Sequence, residues 1–150
     1  MVKDIPLGEI TLRKYEKPYD VPKRELVKKV CLSLGLLQPG DSRDIIVDIF
    51  LVLEDARKEK KMLSSFDIRD KVEILRKENS LEAKGLAESN IRRQLKRLRD
   101  AMLVDKTGNQ YRMSEFAPLS ELFKTKIENF LIPQTIDRIK EYLVKLEETQ

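Results

Sequence analysis

Apolar residues recur at helical spacing in several separate segments of the chain. One segment begins after Pro22, a residue suited to a first helical turn, and we expect it to end at Gly35 or at the Pro-Gly pair 39–40. The next begins with Asp41 as the expected cap and is apolar almost all round from 45 to 53. Because a helix that is apolar on every side is typical of a core centre, we expect this one to be central.

Two further helices are predicted before a β-hairpin. Ser64, followed three residues later by Asp67, resembles a capping box and predicts a helix that ends near residue 79. The clearest amphipathic pattern predicts a helix over 87–102, because its apolar residues share one narrow arc. Two short strands around a Gly-Asn turn at 108–109 then predict a β-wing over 103–113. Near the N-terminus, Ile10 and Leu12 alternate with polar neighbours, which indicates a short strand.

The C-terminal part, residues 116–150, has two apolar patterns with a proline between them. One helical face covers 119–131, and Pro133 is expected to break that helix. Beyond it, apolar residues repeat with 3-4-3 spacing, which corresponds to two heptads of a coiled-coil-like seam. We therefore expect a homodimer, although the segment can instead fold back on its own chain. The expected dimer interface consists of Leu122, Ile136, Ile139, Leu143 and Leu146.

The composition is that of a folded chain with a heavily charged surface. Hydrophobic residues make up 41% and charged residues 37% of the sequence, which excludes a disordered chain and exceeds the usual charged fraction. The length of 150 residues suits one domain with helical extensions. We divide the chain into an N-terminal arm and helix (1–40), a central domain (41–115) and C-terminal helices (116–150). The many Lys, Glu and Arg residues fit the surface of a thermophile protein.

Catalysis and metal binding find little support in the sequence. The chain has no His, which is the usual general base and the commonest metal ligand, and its one Cys lies on an apolar helical stripe. We therefore expect no enzyme, no metal and no cofactor. The apolar stretches are too short to span a bilayer and no signal peptide is evident, so we expect a cytoplasmic protein. No membrane or small-molecule partner is indicated.

The net charge of +4 is distributed unevenly along the chain. Residues 86–118 carry seven basic and four acidic side chains, and residues 1–40 carry eight basic and five acidic ones. The two remaining blocks each have one more acidic than basic side chain. The positive excess therefore lies in the N-terminal arm and in the block that contains the predicted helix 87–102.

The stretch 86–104 resembles the recognition helix of winged helix-turn-helix transcriptional regulators of archaea and bacteria. Such proteins often have a basic helix with Leu-x-x-Leu near its end, after which a small residue and an apolar pair lead into the wing. Where these regulators often have Gly before the apolar pair, this chain has Met102. The resemblance covers residues 41–115. It implies a mainly α fold, a winged helix-turn-helix with a two-stranded β-wing and flanking N- and C-terminal helices.

The resemblance also implies a function, that of a transcriptional regulator that binds double-stranded DNA. The helix 87–102 would lie in the major groove, with the wing 103–113 on the backbone. Ser89, Asn90 and Arg93 would read bases, because the N-terminal turns of such a helix enter the groove deepest. The side chains expected on phosphates are Arg92, Lys96, Arg97, Lys106, Asn109 and Arg112.

Other interpretations of the same pattern stay open. Winged helices also serve as protein-protein interaction modules within larger complexes, and that use is favoured if the arm or the C-terminal helices cover the basic helix. A run of Arg and Lys on an amphipathic helix is also often only a solvated face. Binding to RNA is less expected, because the sequence indicates no exposed aromatic cluster that stacks unpaired bases.

Overall fold

The computed structural model describes residues 4–150, which form a mainly helical fold with a small three-stranded antiparallel sheet. A short 3-10 helix, Ser114–Phe116, connects this body to the C-terminal helical segment. The predictions of a mainly α fold and of a β-hairpin after the amphipathic helix are confirmed. The elements of the body are, in order, α1 (Lys23–Ser33), α2 (Ile45–Lys58), β1 (Leu63–Ser64), α3 (Ser65–Glu78), α4 (Glu88–Asp100), β2 (Val104–Thr107) and β3 (Gln110–Met113).

Helix α2 is the centre of the core, as its nearly continuous apolar sequence predicts. Ile46, Val47, Ile49 and Leu53 are at most 1% exposed. Burial of each such aliphatic side chain stabilises the fold by roughly 1.5–3 kcal/mol. The helix packs against α1, α3, α4 and β3, so it determines where α3 and α4 lie relative to each other.

The sheet contains one more strand than the sequence predicts. β2 and β3 form the expected hairpin, with Val104 opposite Met113. Gly108 begins its turn at a φ of +59°, a conformation that glycine adopts without strain. β1 then pairs with the other edge of β3 and places Leu63 opposite Tyr111. A strand of two residues has no alternation to detect, and only its tertiary pairing reveals it.

The starts of α2 and α3 test two capping predictions, of which one is confirmed. Ser64 accepts a hydrogen bond from the main-chain N–H of Asp67, whose carboxylate accepts one from the Ser64 N–H, so the predicted capping box is present. The prediction that Asp41 caps α2 is wrong, because the helix begins only at Ile45. The Asp41 carboxylate instead accepts from the main-chain N–H and the guanidinium of Arg43.

All four helices of the body end with the chain in the left-handed region. The residues concerned are Gly35, Lys60, Ser80 and Met102, with φ of 73°, 54°, 55° and 63°. In each case the following N–H donates to a carbonyl five residues back, as in a Schellman motif. Glycine is the usual residue at this position, and each non-glycine residue here has a strained backbone.

The N-terminal arm has no strand at Ile10 or Leu12, so that prediction is wrong. The described arm is extended and attached to the end of α1. The main-chain N–H of Arg13 donates to the carbonyl of Ser33 at 2.8 Å, and its guanidinium donates to the carbonyl of Leu32 at 2.7 Å. The alternation does not place the apolar residues inward, since Leu12 is 52% exposed and the polar Arg13 attaches the arm to α1.

The C-terminal segment is one continuous run of helix, contrary to the break predicted at Pro133. It comprises α5 (Leu119–Leu122), a π-helical stretch (Phe123–Leu131) and α6 (Ile132–Glu148). Pro133 stands in the first turn of α6, where its missing N–H is tolerated. Among residues 4–150, no helix is both long enough and apolar enough to cross a membrane.

The start of this segment also corrects the expected dimer interface. Leu122 is 1% exposed and lies in the core of its own chain, so it is not accessible to a second copy. Ile127, five residues further, is buried as well. A spacing of five matches the main-chain hydrogen bonds of a π-helix and places both residues on the same core.

Candidate nucleic-acid interface

Helix α4 is held in place by one buried face and by contacts at its N-terminus. Ile91, Leu95 and Leu98 are fully buried and attach the helix to the core. No side chain caps its first turn, but Glu88 accepts a hydrogen bond from the hydroxyl of Ser65 at the start of α3. The helix is therefore fixed against α3, and its opposite face is turned away from the core.

Of the three predicted base-reading residues, two are available at the surface. Ser89 and Arg93 are exposed. Asn90 is half-buried, and its amide N–H donates to the carbonyl of Gly85 at 2.9 Å. Its amide oxygen accepts from the guanidinium of Arg93 at 2.6 Å. Asn90 therefore ties the loop before α4 to the helix, and both ends of its amide are already engaged within the chain.

The predicted phosphate-binding residues of α4 divide into two groups. Arg92 and Lys96 are exposed, at 4.0 Å from Glu88 and 3.0 Å from Asp100 respectively. Arg97 is half-buried, and its guanidinium donates to the carbonyl of Leu36 at 2.7 Å. Arg97 thus attaches α4 to the loop after α1, so its charge is turned toward the protein.

Arg99 was not among the predicted contacts, but the structure places it on the open side of the helix. It is exposed, and no carboxylate within residues 4–150 lies at ion-pair distance from it. The sequence offered a signal, because Arg99 lies seven residues after Arg92 and therefore on the same helical side. We call Arg92, Arg93, Lys96 and Arg99 the basic face of α4.

In the wing, two of the three predicted contact residues are free to reach outward. Lys106 is exposed, and its ammonium lies 5.6 Å from the ring centre of Tyr111. Asn109 is exposed in the turn. The guanidinium of Arg112, by contrast, pairs with Asp105 at 3.2 Å and is half-buried. Arg112 therefore stabilises the hairpin, and Lys106 and Asn109 form the accessible tip of the wing.

A buried ionic cluster, not foreseen from the sequence, fixes the helices beneath this surface. Asp48 of α2 is completely buried, at 2.5 Å from the guanidinium of Arg76 in α3 and 3.2 Å from that of Arg24 in α1. Asp44 binds the same two arginines. Burial would raise the pKa of Asp44, but its hydrogen bonds and charge pairing with Arg24 and Arg76 hold that pKa below its usual value.

Two arginines of α3, one of them part of this cluster, also bind the loop that precedes α4. The guanidinium of Arg76 donates to the carbonyl of Glu82 at 2.6 Å. That of Arg69 donates to the carbonyl of Leu86 at 2.9 Å. The connection between α3 and α4 is longer than a tight turn, yet these two bonds hold it at both ends. The buried cluster therefore supports the position of α4 as well as the core.

Of the four residues of the basic face, Arg93 lines one of the two larger cavities among the described residues. A groove of about 830 Å³ runs between the arm, α1 and α5, and its walls include Tyr15, Leu26 and Phe123 but no residue of α4. A second cavity, of about 660 Å³, lies beside α4 on the side of Asn90 and Arg97. Residues 4–150 contain no group of three or more carboxylates and thiols placed to bind a metal ion.

Comparison of this chain with protein-family models, with curated proteins and with solved structures finds no match. The geometry of α4 and its surroundings is therefore the basis on which a function can be proposed.

Proposed function

We propose that this chain is a winged-helix protein that binds duplex DNA and acts as a transcriptional regulator. The order α2, β1, α3, α4 and then the hairpin β2-β3 supports this proposal, because helix, helix and wing follow one another as such a module requires. Helix α4, with 13 residues, is roughly 20 Å long, a length that fits along the major groove of B-DNA.

The observation that carries the proposal is the basic face of α4. Its four cationic side chains are exposed. Arg93 and Lys96 lie opposite to the buried residues of α4, and Arg92 and Arg99 lie at the edge of that buried side. Arg93 and Arg99 have no carboxylate partner within residues 4–150, and Arg92 has only a distant one. Guanidinium groups without a carboxylate partner are the donors that bind phosphates and guanine edges. We therefore assign Arg93 and Ser89 to bases and Arg92, Lys96, Arg99, Lys106 and Asn109 to the backbone.

The structure changes three of the assignments that the sequence suggests. Asn90, Arg97 and Arg112 are engaged within the chain, and using them on DNA would require breaking those contacts. We keep them as residues that position α4 and the wing. Replacing Arg97 by Ala should accordingly lower the stability of the fold and leave the salt dependence of DNA binding unchanged. Arg99→Ala should instead leave the stability unchanged and make binding less dependent on salt.

The first test is fluorescence anisotropy with a labelled random-sequence duplex at several salt concentrations. Each phosphate contact contributes about 0.9 to the slope of log K against log salt, so removing three should flatten that slope by about 2.7. The test variant replaces the three residues of the basic face assigned to phosphates by Ala, namely Arg92, Lys96 and Arg99. The control variant loses the same charge at exposed positions elsewhere, namely Lys58, Lys77 and Lys124.

The control variant should keep the slope of the unaltered protein. Equal slopes for both variants would contradict the assignment of the interface to α4. An absence of binding at low salt, where even non-specific attraction acts, would contradict DNA binding itself.

Arg93 is the residue expected to carry sequence preference. On a selected operator, Arg93→Ala should cost about 1–3 kcal/mol at its cognate base pair and relax the preference there, as for a bidentate contact with guanine. Lys96→Ala should instead weaken binding to all duplexes alike. Equal losses on all sequences for Arg93→Ala would contradict the base-reading role.

The other function considered for this fold is a protein-protein interaction module. Coverage of the basic helix by the arm or by the C-terminal helices would favour it. In the described part of the chain, all four residues of the basic face are exposed instead. Helix α4 packs against α2, α3 and β2. This exposure favours the nucleic-acid interface.

A further inference from the structure

Helix α6 has little packing on the rest of residues 4–150, and among its residues Ile132 at its start contacts the core. It has 17 residues, none of them buried. Within the described part of the chain, its extensive packing is limited to the π-helical stretch that precedes it. An isolated helix of this length is only marginally stable in water, so a packing partner is expected to stabilise it.

Five apolar residues of α6 form a narrow seam, and two more, Tyr142 and Val144, lie outside it. Ile132, Ile136, Ile139, Leu143 and Leu146 repeat with 4-3-4-3 spacing, and the last four are 44%, 54%, 50% and 69% exposed. A broad stripe is typical of helices that pack on a globular core, whereas a strict seam of this spacing is typical of coiled coils. The pattern therefore indicates another helix with the same spacing as the partner.

We infer that α6 of a second copy of this chain covers this seam in a parallel two-stranded coiled coil. The orientation follows from the charges beside the seam. In a parallel pair, Tyr142 lies beside Glu147 of the other copy and Thr135 beside Lys140, so no like charges meet. In an antiparallel pair that buries the whole seam, Ile139 faces Leu143 and the two copies of Lys140 lie next to each other, which is unfavourable.

This inference is independent of DNA binding, but its consequence for DNA rests on the proposed function. A parallel pair has its two-fold axis along the coiled coil, so both winged-helix modules lie at the same end of the dimer. Such a dimer would present two basic faces to one duplex. The sequence that it selects should then be a pseudo-palindrome with half-sites about one helical turn apart.

The association is tested without DNA, by sedimentation velocity from low to high micromolar protein concentration. The unaltered chain should change from the monomer mass of 17.6 kDa to twice that mass as concentration rises. Leu143→Asp should abolish the dimer. The control Val144→Asp adds the same charge at the next position, which is equally exposed but outside the seam, and it should leave the dimer intact.

A chain that stays monomeric at high micromolar concentration would overturn the inference, and so would equal effects of the two Asp variants. Because this readout needs no duplex, a dimer without DNA binding would contradict only the proposed function, and the reverse result would contradict only the dimer.

The orientation is tested by disulfide formation between introduced cysteines. In a parallel pair each position faces its own copy, so Leu146→Cys should form a covalent dimer under mild oxidation. In an antiparallel pair Leu146 faces Ile136, and a cross-link would form only between Leu146→Cys and Ile136→Cys chains. That second result would overturn the parallel arrangement. The native Cys31 does not interfere, since it is completely buried.

Discussion

Removal of the buried carboxylate of Asp48 should be among the most destabilising single changes in this protein. Its two oxygens accept three hydrogen bonds from Arg24 and Arg76, at 3.2, 3.2 and 2.5 Å. Arg76 is only 6% exposed. In Asp48→Ala it would have to share one carboxylate of the cluster, that of Asp44, with Arg24. Removing one partner of a buried ion pair typically lowers the free energy of unfolding by about 3–5 kcal/mol, and we expect a loss in that range.

The assay is equilibrium unfolding in urea, followed by circular dichroism, with the midpoint and slope compared between variants. The matched control is Asp55→Ala, because Asp55 lies seven residues further along the same helix and forms an exposed ion pair with Lys23 at 3.8 Å. An exposed pair of this kind is worth at most about 1 kcal/mol. A thermal scan should show a drop of roughly 6–20 °C for Asp48→Ala, given the size of the chain.

A double replacement separates the loss of a favourable pair from the cost of an unpaired buried charge. Asp48→Leu combined with Arg76→Met removes both charges from the α2–α3 contact, so much of the stability lost in the single variant should return. If Asp48→Ala costs no more than Asp55→Ala, the cluster does not hold α1, α2 and α3 together and the reasoning is refuted.

Three further predictions follow from groups described above. Burial raises the pKa of the Cys31 thiol to about 12, so the native protein should not react with a thiol reagent at pH 8 and should react once it is unfolded in urea. Asp44 has a folded pKa below its usual 3.8, so its contribution to the free energy of unfolding is present at neutral pH and is lost as the pH falls through that lower pKa. The difference in unfolding free energy between wild type and Asp44→Asn should therefore shrink between pH 6 and pH 2. Lys60→Gly should stabilise the fold by up to about 1 kcal/mol, because its backbone has a φ of +54°, whereas Lys58→Gly at the last residue of α2 should destabilise it, by at most a similar amount, in the same urea assay.

The helices and the hairpin could be predicted because their signals are local. Spacing of apolar residues locates α2 and α4, and the pair Ser64 and Asp67 locates the start of α3. The start of α2 could not be predicted in this way. Asp41 and Asp44 are equally good caps by residue type, and the choice depends on Arg24 and Arg76, which are distant in sequence.

In the candidate interface, too, some features could be predicted from local spacing, and others depend on contacts that form only in the folded chain. A helical projection separates the buried leucines of α4 from its polar residues, and this separation holds in the structure. It does not reveal which polar residues meet another part of the chain. Arg97 and Arg99 look alike in the sequence, but the loop at Leu36 covers the side of the helix that carries Arg97. That contact joins residues 61 positions apart, so no local pattern contains it.

The π-helical stretch Phe123–Leu131 sets the angle between two apolar sides of one continuous helix. Its upstream end presents Leu122 and Ile127 to the core, and its downstream end directs the seam of α6 outward. Each residue added to or removed from a helix rotates everything beyond it by about 100°. A chain one residue shorter here, with an ordinary α-helix in place of the wider turn, would have the same residues in its basic face, because α4 lies outside the stretch. Its two apolar sides would then have a different angular offset, so a change of a single codon could redirect the seam without altering the residues of either side.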